Sequence, residues 1–196
     1  MQSRPLGWIR TLLGVWMGLG LAVGCRQPSG APREQASRTS SLGSVQGPAR
    51  IAAGYAHSLA ARPDGTVWAA GYNNAGQLGD GSWDNRTVPV QVQGLSEAVT
   101  MAAGHLHSLV RYSDDTVWAW GTNATGQLGD GSTSSHAVPA QVPALLGGGA
   151  LETYDQHALA VSSDGTLWTW GSNSQGQLGN GGPTLYTTTP VLSWLY

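Results

Sequence analysis

Between Ile51 and Val191, apolar positions come in short runs cut by glycine or by a polar turn, a pattern that suits strands rather than helices. From Val99 to Ala103 a small apolar run ends at Gly104. His107 to Arg111 is a second run, and Asp114-Asp115 after it is a turn signal. Thr116 to Trp120 is β-branched and aromatic, and Gly121 closes it. Thr122 to Ala137 is polar and glycine-rich, hence loop. Pro139 to Val142 reads as a fourth short strand, with proline at its start, where a missing N–H is tolerated. Four short antiparallel strands make one blade of a β-propeller.

The same block occurs three times at an interval of 50 residues. Gly54-Tyr55-Ala56-His57-Ser58-Leu59 returns as Gly104-His105-Leu106-His107-Ser108-Leu109, and in degraded form as Tyr154-Asp155-Gln156-His157-Ala158-Leu159. Asp64-Gly65-Thr66-Val67-Trp68 is matched by Asp114 to Trp118 and by Asp164 to Trp168. Gly76-Gln77-Leu78-Gly79-Asp80-Gly81 is matched at Gly126 to Gly131 and at Gly176 to Gly181. The predicted fold is therefore all-β: a partial or open β-propeller of about three four-stranded antiparallel blades, at about 51–97, 98–147 and 148–196.

These motifs, G-x-x-H-S-L, D-G-T-V-W-x-x-G and G-Q-L-G-D-G, resemble the regulator of chromosome condensation (RCC1) repeat family over Ile51 to Val191. The resemblance implies a propeller of about seven blades, and this chain has three copies, whereas closed propellers need roughly four to eight. Pro190 to Tyr196 starts like a further strand and is expected to be free to pair with the first unit, taken to lack a leading strand of its own. A gene fragment and assembly with other copies are the alternatives.

The N-terminus reads as an address. Arg4 and Arg10 are followed by an uncharged, largely apolar run from Thr11 to Gly24. That is short of the ~20 residues of a membrane span and fits the core of a signal peptide over residues 1–24. Leu21-Ala22-Val23-Gly24-Cys25 resembles the lipobox of bacterial lipoproteins, which implies export, lipidation of Cys25 and anchoring to the cell envelope. Residues 25–50 are rich in Pro, Ser, Gly, Gln and Arg and read as a flexible tether.

Composition narrows the function. Removing residues 1–24 leaves 7 Arg against 11 acids, a balance of -4, with no basic patch for phosphates, so nucleic acid is excluded as a partner. One cysteine permits neither an intramolecular disulfide nor a CxxC site. No nucleophile elbow, Walker loop or HExxH occurs. Ser58 and Ser108 follow histidines directly, and neighbours on a strand point to opposite faces, so no Ser–His pair is expected within a strand.

His57, His107 and His157 recur at one place and read as structural, since neighbouring blades hold them apart by far more than Zn–N distances of about 2 Å. Trp68, Trp118 and Trp168, with Trp120 and Trp170, are expected to pack between blades, and Gly71, Gly121 and Gly171 to close the third strands. Asp80, Asp130 and Asn180 read as turn residues. No metal and no cofactor is expected. The loops 81–87 and 131–137 differ while the frame repeats, which marks Trp83, Asp84, Arg86, Ser134, His136 and Tyr186 as candidate partner contacts.

The sequence thus predicts a non-catalytic, envelope-anchored module whose partner is a protein or a glycan. Self-association to complete a propeller is left open. The family contains a secreted bacterial β-lactamase inhibitor, so extracellular binding has precedent. Guanine nucleotide exchange, as in the name-giving member, is the alternative function, but the units here are even and lack that member's inserted loop. A plant ultraviolet sensor of the family carries G-W-R-H-T repeats. The matching places here, Tyr55, His105 and Asp155, have no Trp and no adjacent Arg, which argues against photoreception. A truncated remnant without function is the remaining alternative.

Overall fold

Small and β-branched residues at alternating positions let each repeat lie as a sheet with both faces available for packing. The computed structural model describes residues 50–143, 145 and 149–195. The signal peptide, Cys25 and all but the last residue of the tether lie outside these described residues. The described residues form three four-stranded antiparallel sheets, each in plain chain order. The first is β1 (Arg50–Ala53), β2 (His57–Ala61), β3 (Val67–Gly71) and β4 (Arg86–Gln91). The second is β5 (Ala98–Ala103), β6 (His107–Tyr112), β7 (Val117–Gly121) and β8 (His136–Gln141). The third is β9 (Leu151–Tyr154), β10 (His157–Val161), β11 (Leu167–Ser172) and β12 (Tyr186–Leu192). These are three blades of a partial β-propeller.

Two boundaries differ from the sequence reading. β8 begins at His136 rather than at Pro139, because a bulge after Ala119 lets Gly121 pair with His136. Pro190 to Leu192 is not the start of a further blade. It completes the third sheet, with Leu192 opposite Trp168 and Val191 opposite Thr169. The first sheet also has its own leading strand, β1, so it leaves no place there for the tail.

Burial parity shows how the sheets stack. In β2, His57 and Leu59 are buried while Ser58 and Ala60 are exposed. In β10 the opposite set, Ala158 and Ala160, is buried. In β6, between them, His107, Ser108, Leu109 and Val110 are all buried. Each outer sheet therefore covers one face and the middle sheet is covered on both. The two seams form two separate cores. Leu59, Val67, Leu78 and Val110 with Trp120 fill the first, and Leu109, Leu128 and Ala160 with Trp170 fill the second. Trp118 and Trp168 pack against these cores from partly buried positions, whereas Trp68 lies on the outer face of the first sheet with the Arg62 guanidinium 3.6 Å above its ring.

Polar bonds lock the seams in one direction. The Trp120 indole N–H donates to the Gln77 carbonyl of the preceding sheet at 2.8 Å, and the Trp170 indole does the same to Gln127 at 3.0 Å. The corresponding register position in the first sheet, opposite Ser58, is Ala70. A Cβ on Gly79 or Gly129 would sit 2.7 Å from the indole nitrogen of the following sheet. At Gly179 the corresponding neighbour is Leu195, whose Cγ would lie 2.8 Å from such a Cβ.

Gly71, Gly121 and Gly171 end their strands at positive φ, 116°, 106° and 95°. A Cβ on Gly121 would stand 2.4 Å from the Leu106 carbonyl oxygen, which is backbone and cannot turn aside. Gly121→Ala is expected to cost about 1–3 kcal/mol, seen as a lower urea midpoint at unchanged slope. An unchanged midpoint would refute this account of the strand end.

Candidate functional site at the inner turns

The turns joining first to second strands place one residue of each repeat in a row. The Tyr55 amide donates to the Gly104 carbonyl and the His105 amide to the Asp155 carbonyl, each at 3.2 Å. The backbones of successive turns are thus tied, and their side chains meet. Tyr55 and His105 stack edge to face with ring centroids 4.4 Å apart. His105 Nδ1 faces Asp155 Oδ1 at 3.7 Å. A groove of about 480 Å³ runs along this row, walled by Tyr55, His105, Tyr154 and Asp155 over Ala53 and Ala103.

The histidines beneath the row are structural latches between sheets. His57 Nε2 lies 2.9 Å from Ser108 Oγ, and Ser108 Oγ–H donates to the Gln77 carbonyl at 2.8 Å. His57 must therefore carry its proton on Nε2 and donate it to the serine. His107 Nε2 donates likewise to Thr153 Oγ1, which donates to the His157 carbonyl at 2.8 Å. A serine whose proton is committed to a carbonyl and which itself receives the imidazole proton is not an activated nucleophile. Burial pushes His57 down to about 4, and burial reinforced by the neighbouring histidines pushes His107 down to about 3.

Gly54 and Gly104 make room for these rings: a Cβ on either would lie 2.3 Å from Cε1 of His57 or His107. The third repeat has Tyr154 at that place, and its histidine, His157, is only half-buried. The pKa of His157 is also lowered by burial, against the opposing effects of the Asp155 charge and a hydrogen bond with the Tyr154 backbone. Asp155 beside it takes a left-handed φ of 45°.

The glycine-rich loops between third and fourth strands are built around Asn73, Asn123 and Asn173. Each Oδ1 accepts from the amide of Leu78, Leu128 or Leu178. Each Nδ2 reaches the side chain of Asp80, Asp130 or Asn180. Arg86 Nε donates to Asp80 Oδ2, and His136 Nε2 lies against Asp130 Oδ2, both at 2.8 Å. Burial works against ionisation of Asp80 and Asp130, but bonds from the hydroxyls and amides of Ser82 and Ser132, with Arg86 and His136, outweigh it and hold both carboxyls below the usual range.

Of the residues singled out in the sequence, Arg86 and His136 thus sit at equivalent places as struts of their own loops. Trp83 is 49% exposed and Tyr186 45%. Asp84 and Ser134 are exposed, their amides donating to Ser82 and Ser132 Oγ. Trp83, Asp84 and Ser134 lie on the loops and Tyr186 at the start of β12, none of them among the residues lining the inner-row groove. Among the described residues no group of three or more His, Cys, Asp or Glu is placed to hold a metal ion. The sequence reading did not single out Asn73, Asn123 or Asn173, and it named Tyr55, His105 and Asp155 only as places matching a light sensor's tryptophans, not as a site. The asparagines could have been found from their recurrence at the same interval inside a polar loop, and Tyr154 from its standing where the other copies have glycine.

The "Regulator of chromosome condensation (RCC1) repeat" matches residues 64–111 and 114–151 in one profile and 49–77, 98–127 and 151–177 in a second, so that the matches run through residues 49–177. The chain belongs to the RCC1 repeat family. Among solved structures, human WBSCR16 is similar with a TM-score of 0.63 at 27% identity, covering 72% of this chain and 38% of that one. Prp20p of Saccharomyces cerevisiae gives 0.47 at 20% identity, covering 72% and 49%. Yeast RCC1 (Prp20) bound to Kap60 gives 0.48 at 19%, covering 72% and 48%. The chain spans less than half the length of each of these three matched chains.

Proposed function

We propose that this RCC1-repeat chain is a non-catalytic binding module of the bacterial cell envelope, anchored by lipid on Cys25, whose partner contacts lie on its turns and loops. The observation that carries the reading is a division of labour among equivalent positions. The frame residues, such as Trp120 with Trp170 and Leu78 with Leu128, recur and are buried. The inner turns carry Tyr55, His105 and Asp155 at one equivalent place, three different side chains in a row tied by backbone hydrogen bonds, with Asp155 alone of the three at left-handed φ. A fixed frame with varied exposed side chains is how repeat proteins build recognition surfaces.

The anchoring half of the proposal rests on the sequence Leu21 to Cys25. In a bacterial host supplied with labelled palmitate, the full chain is expected to take up label and to partition with membranes. Cys25→Ser is expected to take up none and to leave the membrane fraction, because one thiol is the only acceptor. Equal labelling of the variant would refute the anchor. Sustained turnover of peptidoglycan or an ester by the purified full chain would refute the non-catalytic reading.

A further inference from the structure

We propose that the inner-turn groove is a receptor for a guanidinium group, the arginine side chain of a protein partner. The inference rests on the binding-module reading and names the chemistry of its partner. Tyr55 is 78% exposed and Tyr154 77%, so two aromatic side chains stand in solvent at the walls of one groove. Exposed aromatics of this size are costly to leave in water and are favoured anchors for contact. The Asp155 carboxylate, 57% exposed, lines the same groove beside His105.

The repeat is broken where it would otherwise have been easiest to keep. The equivalent of Tyr154 is glycine in both other copies, and Asp155 accepts a left-handed backbone. Strain of that kind costs about 1–3 kcal/mol; Glu97 and Asp115 bear it too, and what sets this turn apart is Tyr154 standing beside Asp155 in place of the glycine.

Charge selects the ligand. From residue 50 to 196 the chain has 4 Arg against 10 Asp and Glu, a balance of -6. All four arginines are engaged internally. Arg50 bonds to the Ala98 carbonyl, Arg62 covers Trp68, Arg86 holds Asp80 and Arg111 holds Asp115. The surface therefore offers carboxylates and aromatic faces, and the complementary group is a cation. A guanidinium fits better than an ammonium, because it is flat enough to lie on a tyrosine ring while its fork meets a carboxylate with two N–H groups. Phosphate-bearing partners are repelled by the same charge.

The test uses the full chain in detergent micelles, with tyrosine rings labelled for NMR, titrated with the peptide acetyl-Gly-Arg-Gly-amide. Ring signals of Tyr55 and Tyr154 are expected to shift and saturate. The citrulline analogue, of nearly the same shape without the charge, is expected to leave them in place. Asp155→Asn is expected to weaken binding about tenfold, the value of one charged hydrogen-bond pair. Asp155→Gly is expected to abolish the response while the protein melts no earlier, since glycine relieves the left-handed strain. Tyr154→Phe keeps binding and Tyr154→Ala loses it. No shift with the arginine peptide, an equal shift with citrulline, or undiminished binding in Asp155→Gly overturns the proposal. Such a failure removes the groove alone, whereas the module reading fails only if the turnover assay succeeds.

Discussion

Trp120→Ala lowers the stability of the protein by about 3–5 kcal/mol and loosens the first sheet from the second. The indole is fully buried in the first seam. Truncation to alanine removes that apolar area and leaves a cavity, which for a buried Trp amounts to about 3–5 kcal/mol. It also takes one of two donors from the Gln77 carbonyl, leaving the Ser108 hydroxyl. Against a typical domain stability of about 5–15 kcal/mol, this is enough to populate states with the first seam open. Trp68→Ala is the matched control. Trp68 stands on an outer face under Arg62, and its removal is expected to cost about 1 kcal/mol or less. Urea unfolding followed by circular dichroism separates the two. Equal costs at the two tryptophans would mean that the seam does not hold the blades together.

Acid is the second strong perturbation, and its sign is set by the latching histidines. His57 and His107 are held neutral by burial, at about 4 and about 3 against an ordinary 6.5. In each the unfolded chain binds a proton more readily than the folded one. Their contribution is complete above about pH 6.5 and shrinks as the pH falls toward the folded values. At 1.36 kcal/mol per unit, each histidine withdraws about 3 kcal/mol between pH 6.5 and 4. The structure gives the physical cause: Nδ1 of both rings is buried without an acceptor, so an added proton has nowhere to donate. Asp80 and Asp130, whose carboxyls are held low, contribute above the ordinary carboxylate range and are lost only in stronger acid. The urea midpoint is therefore expected to fall steeply from pH 6.5 to 4, and His107→Gln is expected to flatten that slope. A midpoint constant over this interval would contradict the latch geometry.

The blades were legible because their signals are local. Thr116 to Trp120 reads as a strand from its own residues, and the recurrence of Asp-Gly-Thr and Gly-Gln-Leu-Gly fixes where the next one starts. The seams were not legible, because they join residues about fifty positions apart through the parity of burial. His57 meets Ser108 of the following repeat and not its neighbour Ser58. The inner row was hidden for the same reason: Tyr55, His105 and Asp155 are unremarkable singly and become a site only when stacking sets them side by side. Arg86 and His136 read as loop contacts from sequence, whereas each has a carboxylate partner six residues earlier, within a turn whose closure depends on the buried asparagine. Pro190 to Leu192 misled because a fourth strand and a new first strand look alike when only one follows.

The indole-to-carbonyl bond gives every joint a polarity, with acceptor behind and donor ahead. Units joined in that head-to-tail way grow without limit unless the chain of joints closes or is interrupted. A second molecule laying its first sheet on the third would bring the methyl of Ala70, not an indole, toward Gln177, and would meet Leu195 already lying against Gly179. The first sheet, with Ala70 where the other two carry an indole, thus lacks the donor that joins the two seams.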